Sequence, residues 1–255
     1  MSKRNLFIKA VLVTFILVSL LSISVYAATP LPIPKIGLNI DTADNPQDVA
    51  LSLQILFMLT ILSLAPSILI MMTSFTRVII VLSFTRNALG TQQMPPNQVL
   101  IGLALFLTFF VMQPVITDIN TNAYQPFTKG EITQEVAIER AMEPIREFMF
   151  RNVKNKDLEL FMNLSQTEKA VTLEDVPTSV LIPAFIISEL RIAFLIGFCL
   201  YIPFLIIDMV VSSTLMSMGM MMLPPVMISL PFKLLLFVMV DGWNIIIKSL
   251  IMGIK

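Results

Sequence analysis

From Val180 to Val240 the sequence is almost continuously apolar, over about sixty residues, and this run limits the fold more than any other feature. A bilayer crossing takes about 20 such residues, so the run holds two crossings and a sharp turn but not comfortably three. The place of the turn is visible. Within Met216-Ser-Met-Gly-Met-Met-Met-Leu-Pro-Pro225 a glycine and a proline pair interrupt any helix. A helical hairpin is the economical solution, with Gly219, Pro224 and Pro225 setting the turn and Met220, Met221 and Met222 on non-helical backbone. Pro203 and Pro231 weaken regular helix on either side.

Irregular backbone at membrane depth persists only where protein buries it or a cavity runs beside it. Seven of the eighteen methionines fall between Met209 and Met227. Their unbranched, deformable thioethers suit a seal that closes around objects of different shape while excluding water and ions. The pattern points to a gate, and the plainer alternative is methionine as packing filler.

The rest of the composition agrees with a membrane protein: of 255 residues, 56% are hydrophobic and 13% charged, with a mean hydropathy of +0.85. The net charge is zero and the charges are concentrated in one stretch, which argues against a nucleic-acid partner, since phosphate binding needs a basic face. Cys199, the single cysteine, excludes an intrachain disulfide and reads as an inert core thiol.

At the start, Lys3, Arg4 and Lys9 precede an apolar run from Ala10 to Val25, and the small residues Ala27 and Ala28 follow. This is the layout of a cleavable signal peptide over residues 1–27, with an uncleaved first anchor as the alternative. Residues 28–48 then form a Pro-rich, Asp-bearing extracytoplasmic lead. A first apolar hairpin is expected over 49–116, with spans at Val49–Met72 and Val99–Ile116. Arg77 and Arg86 lie between them with no acidic residue before Asp118, which places the connection in the cytoplasm. Pro66 interrupts the first span, and Val78–Phe84 extends it as a kinked or long helix.

Residues 117–179 differ in character, with seven Lys/Arg and eleven Asp/Glu between Thr117 and Val176. Ile138, Ala141, Met142, Ile145, Phe148 and Met149 recur at helical intervals among the charges, as expected of a small extracytoplasmic helical domain with one packed face. Pro144 suggests a break or kink, and Ser165 with Glu168 resembles a capping box opening a further helix. The charges read as solubilising surface. The second apolar hairpin covers 180–240, and the tail 241–255 ends outside the cytoplasm if four mature spans exist.

Glu189, Arg191, Asp208 and Lys233 lie inside the apolar region, where ionisable groups cost several kcal/mol unless paired or hydrated. Glu189 and Arg191 stand about 200° apart around a helix and make no good pair with each other. Their expected partners are on other helices or subunits, the alternative being a direct role in ion movement. No histidine, metal-ligand cluster, phosphate loop or base-activated nucleophile occurs, so neither an enzyme nor a cofactor or metal site is expected. Asp208 with Asp241 as an intramembrane acid pair has little support.

Five segments carry a resemblance: Pro66–Arg77 (Pro-Ser-Ile-Leu-Ile-Met-Met-Thr-Ser-Phe-Thr-Arg), Arg86–Pro96, Pro183–Arg191, Ile202–Asp208 and Leu230–Trp243. Together they resemble the flagellar biosynthetic protein FliP family, the export-gate subunit of type III secretion. The signal peptide and acidic middle segment look more like the flagellar branch than the virulence branch. The resemblance implies a non-enzymatic core subunit of the flagellar export gate, through which unfolded rod, hook and filament proteins leave the cytoplasm. It implies a homo-oligomer of five copies, joined by FliQ and FliR in a closed helical cone and completed by FlhA and FlhB in the inner membrane at the flagellar basal body. Met220, Met221 and Met222 match the family's methionine gasket, and Glu189, Asp208 and Lys233 fall on family motif positions. It also implies helices that are tilted, broken and largely lifted above the bilayer.

The expected fold class is therefore an all-α membrane protein of long broken helices forming hairpins, plus a small helical extracytoplasmic domain. A stand-alone transporter or ion channel is the alternative from another class, but the internal duplication that such a protein shows is missing here. A further alternative is a scaffold that nucleates assembly without lining the path.

Overall fold

The computed structural model describes residues 46–91, 93–165, 175–220 and 222–254. The signal peptide, the lead as far as residue 45 and Met221 lie outside the described residues. The chain divides into two units, Met1–Ile55 and Leu56–Lys255. Of the first, only the opening of helix α1 is described, and every other helix belongs to the second.

No strand occurs among the described residues. Helix α1 (Pro46–Met71) runs through Pro66, and α2 (Phe75–Leu89) restarts after a short break rather than extending it. The break has a local cause: the Thr73 hydroxyl donates to the Ile70 carbonyl at 2.8 Å and accepts the Phe75 N–H at 3.3 Å. Such side-chain bonds offer the backbone an alternative to the helical ladder. On α2 the buried Val78, Val81, Leu82, Thr85 and Leu89 follow a single helical stripe. The helix ends at Gly90, whose φ of 75° is the left-handed conformation that favours glycine.

Helix α3 (Asn97–Ile119) continues through a π-helical turn, Asn120–Tyr124, into the single turn α4 (Gln125–Thr128). Two amphipathic helices follow, α5 (Gln134–Asn152) and α6 (Asn155–Leu164). Glu135 in the first turn of α5 is held below the ordinary glutamate range by its own backbone N–H, then by the Thr133 hydroxyl. Pro144 lies within α5 without ending it. Ser165 follows α6: its N–H donates to Phe161 and its hydroxyl donates to Met162, both at 3.0 Å, and the helix expected to open there would fall on the residues that come next. Residues 166–174 lie outside the described residues.

The long apolar run forms α7 (Thr178–Ser217), α8 (Pro225–Met239) and α9 (Gly242–Met252). Pro183 and Pro203 sit inside α7, and Pro231 inside α8, without breaking them. In apolar helices, neighbouring helices and local adjustments satisfy the carbonyls that proline frees, so the expected interruptions are absorbed. Cys199 is exposed on α7, not in the core.

Two cores hold these helices. One gathers Val81 and Leu82 of α2, Leu100 of α3, Ala193 and Phe204 of α7, Phe237 of α8 and Leu250 of α9. Helices α2 and α7 come close at Gly197, where an added Cβ would lie 2.6 Å from the Phe84 ring. The other joins Met112 of α3, Phe148 and Met149 of α5, Leu158 of α6 and Leu181 and Phe185 of α7. Phe148 and Phe185 meet edge to face at 5.9 Å, so the charged middle segment shares its core with the apolar helices.

Among the described residues, two helices are long and apolar enough to cross a membrane, Asn97–Thr128 with 32 residues and Thr178–Ser217 with 40. The pair α8 and α9, bent by 62°, makes a third candidate, while the apolar part of α1, Leu53–Ile68, is shorter. The count is thus two or three where four mature spans were expected. At about 1.5 Å per residue α7 is about 60 Å long, twice the hydrocarbon thickness of about 30 Å. Its ends therefore extend past any bilayer, and its N-terminal third is packed on α2, α5 and α6.

Candidate functional site

Three of the four ionisable residues singled out in the apolar run are buried or partly buried, and all four are paired across helices. Glu189 on α7 meets Arg77 on α2, both fully buried. The Arg77 Nε donates to Glu189 Oε2 at 2.8 Å while Nη2 donates to Oε1, a two-pronged geometry that only arginine offers. The remaining donors are used as well: Nη1 reaches the Gly253 carbonyl at 2.8 Å and Nη2 the Asn152 Oδ1 at 3.4 Å. One guanidinium thus ties α2, α5, α7 and the segment after α9 together.

Arg191, two residues from Glu189, points to another element. Its Nη2 donates to Asp157 Oδ1 on α6 at 2.6 Å, and the buried Asp157 accepts the Ser188 hydroxyl through Oδ2 at 2.8 Å. The same hydroxyl accepts the Lys154 N–H at 2.9 Å. Consecutive residues of α7 therefore hold α2 on one side and α6 on the other, as the angular separation of Glu189 and Arg191 requires.

A second polar station lies 19 residues along α7 from Glu189, about 28 Å away at the helical rise. Lys233 on α8, 3% exposed, donates to Asp208 Oδ2 on α7 at 2.6 Å and to the Ala88 carbonyl at the end of α2 at 3.3 Å. Carbonyls in a last helical turn carry partial negative charge and favour a cation there. Ser229 completes the station by donating to Asp208 Oδ1 at 2.6 Å.

Beyond this station the two limbs are joined by the methionine turn. The Met220 N–H donates to Leu215 at 3.0 Å and the Gly219 N–H to Met216 at 3.1 Å, with Gly219 at φ 76°. This is the 6→1 and 5→2 bonding of a Schellman motif, in which the left-handed residue is Gly219. Pro224 then precedes α8 and Pro225 opens it, where a missing N–H costs nothing. Met222 is 98% exposed and Met220 37%. The turn therefore leaves the Met222 side chain, and part of Met220, uncovered, while Met221 lies outside the described residues.

Arg77, Asn152, Asp157, Ser188 and Ser229 belong to these stations and were not singled out from the sequence as site residues. Arg77 carries a usable signal, a lone charge followed directly by Val78-Ile79-Ile80, but the same charge also reads as a cytoplasmic marker. Asp157 carries none, because charged neighbours surround it on an amphipathic helix.

Comparison with known proteins adds an independent line. The FliP family profile matches residues 58–250. The flagellar biosynthetic protein FliP of Bacillus subtilis is 58% identical over 214 residues, covering 84% of this chain and 97% of that protein. Its counterpart in Pectobacterium carotovorum is 58% identical over 204 residues, 80% and 79% of the two chains. That of Aquifex aeolicus is 51% identical over 202 residues, 78% and 84%.

Proposed function

The chain belongs to the FliP family, and on that premise we propose that it is a core subunit of the flagellar type III protein export gate. Several copies, five in this reading, surround the path of unfolded flagellar proteins together with FliQ and FliR, while FlhA and FlhB complete the apparatus. The subunit works by position and closure rather than by chemical catalysis. The observation that carries the reading is the extent of the family match, which takes in both polar stations and the methionine turn.

The geometry gives this reading a mechanism. Paired charges fix α2, α7 and α8 against each other, and the Schellman turn fixes the backbone that joins α7 to α8. What remains deformable is the set of thioethers at Met220, Met221 and Met222. A ring of such side chains, one set from each copy, excludes water at rest and yields to an unfolded chain in transit.

Replacing Met220, Met221 and Met222 together by alanine tests the seal, because it shortens the side chains and leaves Gly219, Pro224 and Pro225 in place. Cells carrying the triple change are expected to assemble the complex and to leak small ions and solutes through it, with slowed growth on overproduction. A complex that assembles, stays ion-tight and exports at the original rate would make the methionines packing filler.

A further inference from the structure

The methionine turn also carries a set of metal-binding donors that closure of a seal leaves unused. From Met216 to Met222 the sequence reads Met-Ser-Met-Gly-Met-Met-Met, and methionine sulfur is a soft, polarizable donor. No group of three or more His, Cys, Asp or Glu side chains that could hold a metal occurs among the described residues. Thioethers are a separate donor class, and the soft monovalent state of copper prefers them.

The backbone brings three of these residues to one place. The Met220 N–H donates to the Leu215 carbonyl at 3.0 Å and the Gly219 N–H to the Met216 carbonyl at 3.1 Å, so the chain closes on itself and Met220 lies beside Met216. The Leu223 N–H then donates to the Met220 carbonyl at 3.4 Å, a second tight turn with Met222 among its central residues. Met216, Met220 and Met222 are 63%, 37% and 98% exposed, so packing closes off none of the three side chains. Three rotatable bonds in each let the sulfurs converge on one ion. Met218 differs, standing about 200° from Met216 around the end of α7.

The electrostatics select the charge of the ion. No charged residue lies between Asp208 and Lys233, and those two pair with each other at 2.6 Å. Three neutral thioethers offer nothing to offset a double charge in apolar surroundings, where the cost of desolvation grows with the square of the charge. A monovalent soft cation meets both conditions. We propose that Met216, Met220 and Met222 bind one Cu(I) ion through their three sulfurs. The site needs a single chain, and it stands whether or not the methionines seal a path.

The test uses the full-length chain in mild detergent and chloride-free buffer, with Cys199→Ser throughout, because the exposed thiol would hold the same ions. Silver nitrate supplies Ag(I), a redox-stable probe of the same charge and softness. Free silver is removed by gel filtration and the bound ion is counted by plasma mass spectrometry. About one Ag(I) per chain is expected, and its loss is expected when Met216→Leu, Met220→Leu and Met222→Leu are combined. Leucine conserves the volume of methionine, so the turn and its apolar surface are kept. Met218→Leu is expected to retain the ion. X-ray absorption on the chain loaded with Cu(I) is expected to show sulfur alone around the metal. Failure to retain silver overturns the proposal, as does silver retained unchanged by the triple leucine variant. Equal loss on Met218→Leu, or nitrogen or oxygen around the copper, overturns it as well.

Discussion

Lys233 keeps its charge in apolar surroundings because Asp208 and the Ala88 carbonyl meet it there, and removing either ionic partner strands the other. Breaking a buried pair costs about 3–5 kcal/mol, so Lys233→Ala and Asp208→Ala are expected to reduce the amount of assembled complex recovered from membranes before they alter conduction. Normal amounts of complex that fail to export would assign the pair to transport instead. Arg77→Lys preserves charge yet loses the fork that serves Glu189, Asn152 and Gly253 at once. It is expected to lower the thermal unfolding temperature in detergent nearly as much as Arg77→Gln, and unaltered stability of the lysine variant would show that charge alone suffices. Glu189, Asp208 and Lys233 were legible in the sequence because a charge in an apolar run demands a partner. Their partners were not, since pairing depends on which helices cross, and nothing local separates the buried Asp157 from the exposed Glu159 two residues on.

Among the helices, α2 and α7 come close at Gly197, and the α7–α8 turn depends on Gly219, so two glycines serve for different reasons. At Gly219 nothing lies within 4 Å of an added Cβ, so alanine costs only the left-handed conformation, about 1–2 kcal/mol. At Gly197 the added carbon meets Phe84 at 2.6 Å, and overpacking costs about 1–3 kcal/mol with displacement of the neighbouring helix. Gly197→Ala is therefore expected to disturb α2–α7 packing, read as faster hydrogen exchange along α2, whereas Gly219→Ala leaves α2 protected. Equal exchange in the two variants would contradict this division. The sequence made the turn at Gly219 readable, because glycine followed by two prolines has few other uses in an apolar run. It misled at Pro66, Pro144 and Pro203, where local rules predict interruption but the helix continues unbroken. Gly197 has no local signature, since its role comes from a ring 113 positions away in the chain.

At the scale of the whole chain, hydropathy records which surfaces avoid water but not whether lipid or protein covers them. That is why four spans were expected and two or three among the described residues are long enough, and why α7, about 60 Å long, exceeds a single crossing. The same ambiguity bears on orientation. Arg77 is buried against Glu189 and so carries no weight as a cytoplasmic marker, leaving Arg86 in the last turn of α2, beside the α2–α3 connection. Its Nη1 donates to Pro95 at 3.3 Å and to Asn97 Oδ1 at 2.5 Å, which keeps the positive charge on that connection, where the positive-inside tendency places it in the cytoplasm. We propose that α5 and α6 lie on the opposite side, which rests on one crossing by α3. Asn155 is exposed at the start of α6, so Asn155→Cys is expected to react with a membrane-impermeant maleimide in cells whose outer membrane alone is permeabilised. Labelling that requires lysis of the inner membrane would place α6 in the cytoplasm and reverse the direction in which the subunit faces.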